Sequence, residues 1–300
     1  MLLIPQRVLL PAECTMKKLS IFVSAVAIMA FCNPAGAADV EPVQGLIFSG
    51  KVTGYLGYAE VSDPDDELDD DSYLVYGGSG VLSIPLAEML SVQADILAEE
   101  NDVDRDTEGA VEALGFGAHL SWRDPSIGLL GVFGGLGTGD HPGDSDQQDV
   151  WWLGVEGQYY LDSTTLYGQV GWTDVESSHD ALNSESFFAR GAARYFFHDN
   201  LMLQGELQYT EGKVHDENLE VYGWGLKAEY GLESLPIALM AEYRGTHASD
   251  ESSDATEHAG FVGVSIAFGA SSLKEQDRYG ATLESPGFLL RAAEWSSLLD

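Results

Sequence analysis

Apolar residues recur at every second position in about a dozen short segments of this 300-residue chain. In the clearest segment, residues 201–209, Leu201, Leu203 and Leu207 fall on one face, while one methionine, two glutamines and one glutamate occupy the other. Successive side chains of a β-strand point to opposite faces of the sheet, so each segment is predicted to be a strand with one apolar and one mostly polar face. This alternation predicts an all-β fold.

The segments are separated alternately by long acidic loops and very short turns, which is typical of antiparallel strands. The predicted strands are 46–59, 72–84, 90–98, 114–122, 127–137, 150–161, 164–173, 187–197, 201–209, 219–230, 237–244 and 258–268. The predicted long loops are 62–71, 99–108, 139–149, 174–186, 211–218 and 247–257. About ten residues per strand, at about 3.3 Å each and tilted near 40°, span about 25 Å, which fits the apolar band of a bilayer.

A sheet that spans a membrane must close on itself, because hydrocarbon supplies no hydrogen-bond partners for open edges. A soluble sandwich or lipocalin-like barrel also alternates, but it would expose large apolar side chains to water on nearly every strand. We therefore predict a closed antiparallel transmembrane β-barrel of about 12 strands, with long acidic extracellular loops and short periplasmic turns. Trp122, Tyr159, Tyr195 and Tyr230 are predicted to form an interfacial girdle on the short-turn side.

The N-terminus has the residue order of a secretory signal. Lys17 and Lys18 precede an apolar run at 21–31, and small residues follow at 35–37. We predict cleavage after Ala37. Beyond this point no stretch has the roughly 18 consecutive apolar residues of a membrane-spanning helix.

Residues 1–15 precede a second start position, Met16, and are interpreted as an over-long reading frame or an extended signal. Cys14 and Cys32 both precede the predicted cleavage site, so the mature chain is predicted to contain no thiol. Lipidation of Cys32 is the alternative, which the bulky Phe31 before it disfavours.

The formal net charge of −35 argues against binding of nucleic acid or of anionic phospholipid through a basic surface. The acidic residues are concentrated in the loops, where solvation is the simplest interpretation. Two clusters have the carboxylates that calcium prefers, but neither has EF-hand spacing, and we predict no metal site. They comprise Asp65, Asp66, Asp69 and Asp70, and Asp140, Asp144 and Asp146.

The last predicted strand carries Val262, Val264, Ile266 and Phe268 at alternate positions. With the signal and about twelve strands, this ending resembles Gram-negative outer-membrane porin-like barrels, over roughly residues 46–268. The resemblance implies a location in the bacterial outer membrane, contact with its lipid, and recognition of the terminal strand by the barrel-assembly machinery. Phe261 departs from the family pattern, because a polar residue is commoner at its position.

The chain also continues beyond the final aromatic residue, where family barrels often end. We favour a disordered tail there over a plug or a peptidoglycan contact, although 286–299 has the pattern of a small amphipathic helix. The predicted domain organisation is a signal peptide with an upstream extension at 1–37, a barrel at 38–269 and a periplasmic C-terminal tail at 270–300.

Ten charged residues fall on the predicted inner face of the barrel. They are Lys51, Asp95, Glu156, Arg190, Arg194, Glu206, Lys227, Glu229, Glu242 and Arg244. Charges cannot remain there dry and unpaired, so they either line water or pair across the barrel and fill it. Interior glycines such as Gly115 and Gly223 leave space, which favours a narrow channel with these residues as its lining.

The predicted function is therefore porin-like passive diffusion of small hydrophilic solutes, and the alternative is a non-conducting structural or adhesin-type barrel. We predict no cofactor, and the pattern leaves monomer and oligomer open.

His119 and Ser121 share a strand face, a spacing that resembles the histidine and serine of outer-membrane phospholipase. By parity they point inward near the short turns, whereas that family's pair faces lipid near the outer leaflet. An ordinary polar interior is the favoured interpretation, and the chain is predicted not to be an enzyme.

Overall fold

A computed structural model describes residues 47–62, 71–102, 111–140, 147–177, 184–214, 217–249 and 254–287, so the predicted signal peptide lies outside the described residues. The described residues form twelve strands and one helix. They are β1 (Ser49–Ser62), β2 (Asp71–Ala87), β3 (Leu90–Asp102), β4 (Val111–Asp124), β5 (Gly128–Asp140), β6 (Gln147–Tyr160), β7 (Thr164–Ser177), β8 (Ser184–His198), β9 (Leu201–Val214), β10 (Glu217–Gly231), β11 (Ile237–Ser249), β12 (Asp254–Phe268) and α1 (Leu273–Tyr279).

Each strand pairs antiparallel with its neighbours in sequence, and β1 pairs with β12 to close the sheet. The closing register sets Gly54 opposite Val264 and Gly50 opposite Phe268. Closure leaves no edge with unpaired backbone groups. The predicted fold class is confirmed.

The two faces of the sheet differ as lipid requires. Outside, Leu207, Leu136 and Leu130 are 70%, 67% and 66% exposed. Inside, the buried side chains include many polar ones, such as Gln93 and Gln169. Among the described residues, no helix has the length and apolar character needed to cross a membrane.

The faces of β5, which the sequence does not distinguish, are clear in the structure. Leu129 and Phe133 are buried inside, whereas Leu130, Val132 and Leu136 are exposed outside. The small glycines between them allow close neighbours on both faces. The four predicted girdle aromatics, on other strands, all have exposed side chains.

The strands extend further at the long-loop end than the alternation predicts. β3 continues to Asp102, β9 to Val214 and β11 to Ser249, where the predicted strands end at 98, 209 and 244. A strand ladder depends on backbone hydrogen bonds and continues where both faces are polar, so apolar alternation marks only its membrane-embedded part. The predicted loops 99–108, 211–218 and 247–257 were therefore too long.

The chain turns inward immediately after β12. Gly269 has φ of +84°, in the left-handed region that side chains other than glycine rarely adopt, and a Cβ atom there would collide with the carbonyl oxygen of Phe48. We call residues 270–287 the tail. It consists of α1 and an extended stretch that lies against the inner wall of the barrel, so the expectation of a disordered tail was wrong for this part. Residues 288–300, with most of the predicted helix 286–299, lie outside the described residues.

Candidate functional site: a lumen occupied by the tail

The tail enters the barrel at the end that carries the short turns. Ser272 caps α1, since its hydroxyl oxygen accepts a hydrogen bond from the backbone N–H of Glu275 at 3.1 Å. The backbone N–H of Leu273 donates to Asn200 Oδ1 at 3.2 Å. The helix therefore begins against the turn between β8 and β9.

The end of α1 is held by the neighbouring short turn, between β6 and β7, and by β7 and β8. Arg278 donates to the carbonyl oxygen of Leu161 at 2.6 Å and lies 4.6 Å from the ring centre of Tyr160. Asp277 pairs with Arg194 at 2.8 Å and accepts a hydrogen bond from Thr165 at 2.5 Å. These contacts fix the helix at the short-turn rim, against β6–β9.

Side chains of the wall bind the backbone of the extended stretch as a neighbouring strand would. Gln93 Oε1 accepts from the backbone N–H groups of Thr282 and Leu283 at 3.1 and 3.2 Å, and its Nε2 donates to the carbonyl oxygen of Leu283 at 2.7 Å. Arg123 Nη1 donates to the carbonyl oxygen of Gly280 at 2.6 Å. Buried backbone groups are costly when unpaired, so these bonds let an irregular segment lie inside the barrel.

Leu283 anchors the same stretch through apolar contact. It is 1% exposed and packs with Leu129, Tyr167 and Ala192 on the wall formed by β5, β7 and β8. Full burial of a leucine side chain contributes about 1.5–3 kcal/mol. The tail is thus sealed against one side of the barrel.

Glu284 is the electrostatic centre of the tail. Its carboxylate lies 2.6 Å from Arg190 Nη2, 3.3 Å from Lys227 Nζ and 3.3 Å from Arg194 Nη2. Burial alone would raise the pKa of Glu284, but these three cations outweigh it and hold the pKa well below its ordinary value. Gln169 also donates to its carbonyl oxygen at 2.8 Å.

His119 lies between two carboxylates on the sealed side. Its Nε2 is 2.8 Å from Asp95 Oδ1 and its Nδ1 is 2.7 Å from Glu156 Oε1. Ser121 instead lies 2.9 Å from Ser91, hydroxyl to hydroxyl. Both ring nitrogens face carboxylates, so neither is placed to activate Ser121.

The opposite side of the lumen keeps open space. A cavity of about 230 Å³ lies between the extended stretch of the tail, the wall formed by β1–β4 and the wall formed by β8–β11. A second cavity, of about 40 Å³, lies beside α1 against β8–β10. Lys51, Lys227, Glu229 and Glu284 line both cavities.

The structure brings nine of the ten predicted lining residues to these cavities. Eight line the larger one, namely Lys51, Asp95, Arg190, Glu206, Lys227, Glu229, Glu242 and Arg244. Arg194 lines the smaller one, whereas Glu156 lies in the sealed wall beneath His119. Charges also pair across the barrel, as between Lys51 and Glu229 at 3.3 Å. The inner charges therefore pair across the barrel and also line its cavities, so both expected arrangements occur together.

Several residues of the lumen were missed. Arg123, which is 1% exposed, has the same parity as His119 and Ser121, and that parity already places it inside. Glu99 belongs to β3 and lies 3.3 Å from Arg244, although its position was assigned to a loop. Glu284 had no comparable signal, because no alternation continues into the tail.

No group of three or more histidine, cysteine, aspartate or glutamate side chains within the described ranges is placed to hold a metal ion. The acidic clusters at 65–70 and at 144–146 lie outside those ranges. Calcium binding there is untested.

The closed twelve-stranded sheet, its exposed leucine-rich exterior and its polar interior define a β-barrel of the bacterial outer membrane. No family model and no curated protein matches the chain. Among solved structures, an outer-membrane channel from Pseudomonas putida F1 is similar with a TM-score of 0.53 and 12% identity, over 77% of this chain and 100% of that one.

Two further barrels are less similar. The translocator domain of the autotransporter NalP from Neisseria meningitidis has a TM-score of 0.46 and 12% identity, over 85% of this chain and 98% of that one. The KdgM porin has a TM-score of 0.40 and 12% identity, over 71% of this chain and 99% of that one. At such identities the similarity concerns the fold alone.

Proposed function

We propose that the protein is a narrow channel for the passive diffusion of small hydrophilic solutes, and that its own tail reduces the bore. One observation carries the proposal: the tail packs along one side of the lumen and leaves a charged cavity of about 230 Å³ on the other. A segment that served only to fill the barrel would be expected to occupy both sides.

The side chains around this cavity support a hydrated interior. The side chains of Lys51, Arg244 and Glu284 remain 23%, 28% and 29% exposed although they lie within the barrel. Charged groups left in a dry gap would be strongly unfavourable, so water fills the space that they face. A passage of this size would admit only small polar solutes.

The test is single-channel conductance in planar bilayers. The chain from residue 38 should give small, stable steps, and a variant that ends at Gly269 should give larger ones, since the tail no longer narrows the lumen. Heat-modifiable migration in electrophoresis would show that both barrels are folded. Electrical silence of both folded proteins would reject the channel.

The rival proposal is a non-conducting structural or adhesin-type barrel. The short ion pairs of the tail, such as 2.6 Å between Arg190 and Glu284, favour it because they stabilise a filled lumen. Silence of the complete chain together with large steps from the truncated variant would support this rival.

A further inference from the structure

The two cavities on the open side of the lumen meet at four charged side chains. We call Lys51, Lys227, Glu229 and Glu284 the charged quartet. All four line the larger cavity and the smaller one, so the quartet separates the middle of the lumen from the mouth beside α1. A solute that moves along the open side has to cross it.

The quartet is assembled from three separate elements. Lys51 comes from β1, Lys227 and Glu229 are two residues apart on the inner face of β10, and Glu284 comes from the tail. The distance from Lys51 Nζ to Glu229 Oε1 is 3.3 Å, and that from Lys227 Nζ to Glu284 Oε1 is also 3.3 Å. Two ammonium groups thus face two carboxylates.

Both pairs are longer than the shortest arginine contacts of the tail, which are 2.6 Å from Arg190 to Glu284 and 2.8 Å from Arg194 to Asp277. Charge-assisted N–H···O bonds are usually about 2.7–2.9 Å, whereas both lysine pairs are 3.3 Å long. The lysines are also flexible and partly exposed, with 23% and 15% of their side chains accessible. Lysine heads in loose pairs can exchange a carboxylate for a passing ion or water, whereas the arginine contacts keep the tail in place.

We propose that the charged quartet is the constriction that determines ion selectivity, and this rests on the proposed channel function. Rings of charged side chains select ions by their net charge, and the quartet has none. Removal of one lysine leaves an uncompensated carboxylate, which favours cations. Removal of one carboxylate leaves an uncompensated ammonium group, which favours anions. Because Glu284 belongs to the tail, the tail is part of the selectivity element.

The test is the reversal potential of single channels in a KCl gradient. Lys51→Gln should raise the permeability of K⁺ relative to Cl⁻ by about fivefold over the wild type, and Glu229→Gln should lower it by a similar factor. Glu229→Asp keeps the charge and should leave the ratio near the wild-type value. Glu233→Gln, on the exposed turn after β10, is the matched control and should also leave it unchanged.

The exchanged pair Lys51→Glu with Glu229→Lys guards against misfolding. It restores a neutral quartet, so its selectivity should return to the wild-type ratio. If folded channels conduct but keep the same reversal potential in Lys51→Gln and Glu229→Gln, the quartet is not the constriction, although the channel function stands. If the wild-type protein is electrically silent, both proposals are overturned.

Discussion

Substitution of Glu284 by glutamine should release the tail part of the time. The carboxylate accepts hydrogen bonds from Arg190 at 2.6 Å and from Lys227 at 3.3 Å. A hydrogen bond to a charged group contributes about 1.5–3 kcal/mol. Because the Glu284 side chain is 29% exposed and glutamine keeps one acceptor oxygen, we expect a total loss of about 2 kcal/mol. This corresponds to a shift of about 30-fold towards the undocked tail.

Long single-channel recordings at neutral pH measure this shift directly. The ratio of time in a large-conductance state to time in the small one should rise about 30-fold in Glu284→Gln. Glu233→Gln removes the same charge from the exposed turn after β10 and should leave the ratio unchanged. An unchanged ratio in a folded Glu284→Gln barrel would refute the view that this carboxylate holds the tail in the lumen.

Three further outcomes follow from the same contacts. The lowered pKa of Glu284 makes its contribution to docking complete at neutral pH, and this contribution is lost as pH falls through that lowered pKa. Large-conductance events should therefore increase in the wild type as pH falls below the ordinary range of a glutamate, and they should change less in Glu284→Gln. A Cβ atom at Gly117 would overlap Ser285 Oγ, so the two positions are close enough for a Gly117→Cys, Ser285→Cys disulfide after a small shift of the tail. This disulfide should abolish large steps until a reductant is added, and large steps from the oxidised protein would contradict tail release. Leu207→Lys, at the most exposed outward leucine named above, should destabilise the barrel by about 2–4 kcal/mol in urea unfolding from lipid vesicles, with Leu207→Ala as the milder control, and equal stability would argue against lipid contact there.

The number of strands and the closure of the barrel were predictable because lipid imposes a period of two on every spanning strand. β9 illustrates this, since Leu203, Leu207 and Tyr209 face outward while Gln204, Glu206 and Gln208 occupy the alternate positions. β5 was not predictable in the same way, because glycines and large apolar residues fall on both of its faces. Only pairing with β4 and β6 decides which of its faces meets lipid.

The inward direction of the charged residues followed from parity, but their partners did not. Lys51 and Glu229 are 178 residues apart and belong to strands that are not paired with each other. The docked position of the tail was still harder to predict, because nothing in its own sequence stabilises an extended stretch. Its order comes from groups on the wall such as Gln93 and Arg123, and a local pattern contains no information about such distant partners.

The tail's docking surface is composite, with consequences for the timing of maturation. Ser49 of β1 accepts a hydrogen bond from the backbone N–H of Ala281 at 2.6 Å, whereas Asn200, in the turn between β8 and β9, and Lys227 of β10 hold other parts of the tail. No single hairpin presents these groups together. The complete docking surface for the tail therefore exists only after β1 has paired with β12. We therefore expect the tail to insert late in folding, once this pairing has closed the barrel.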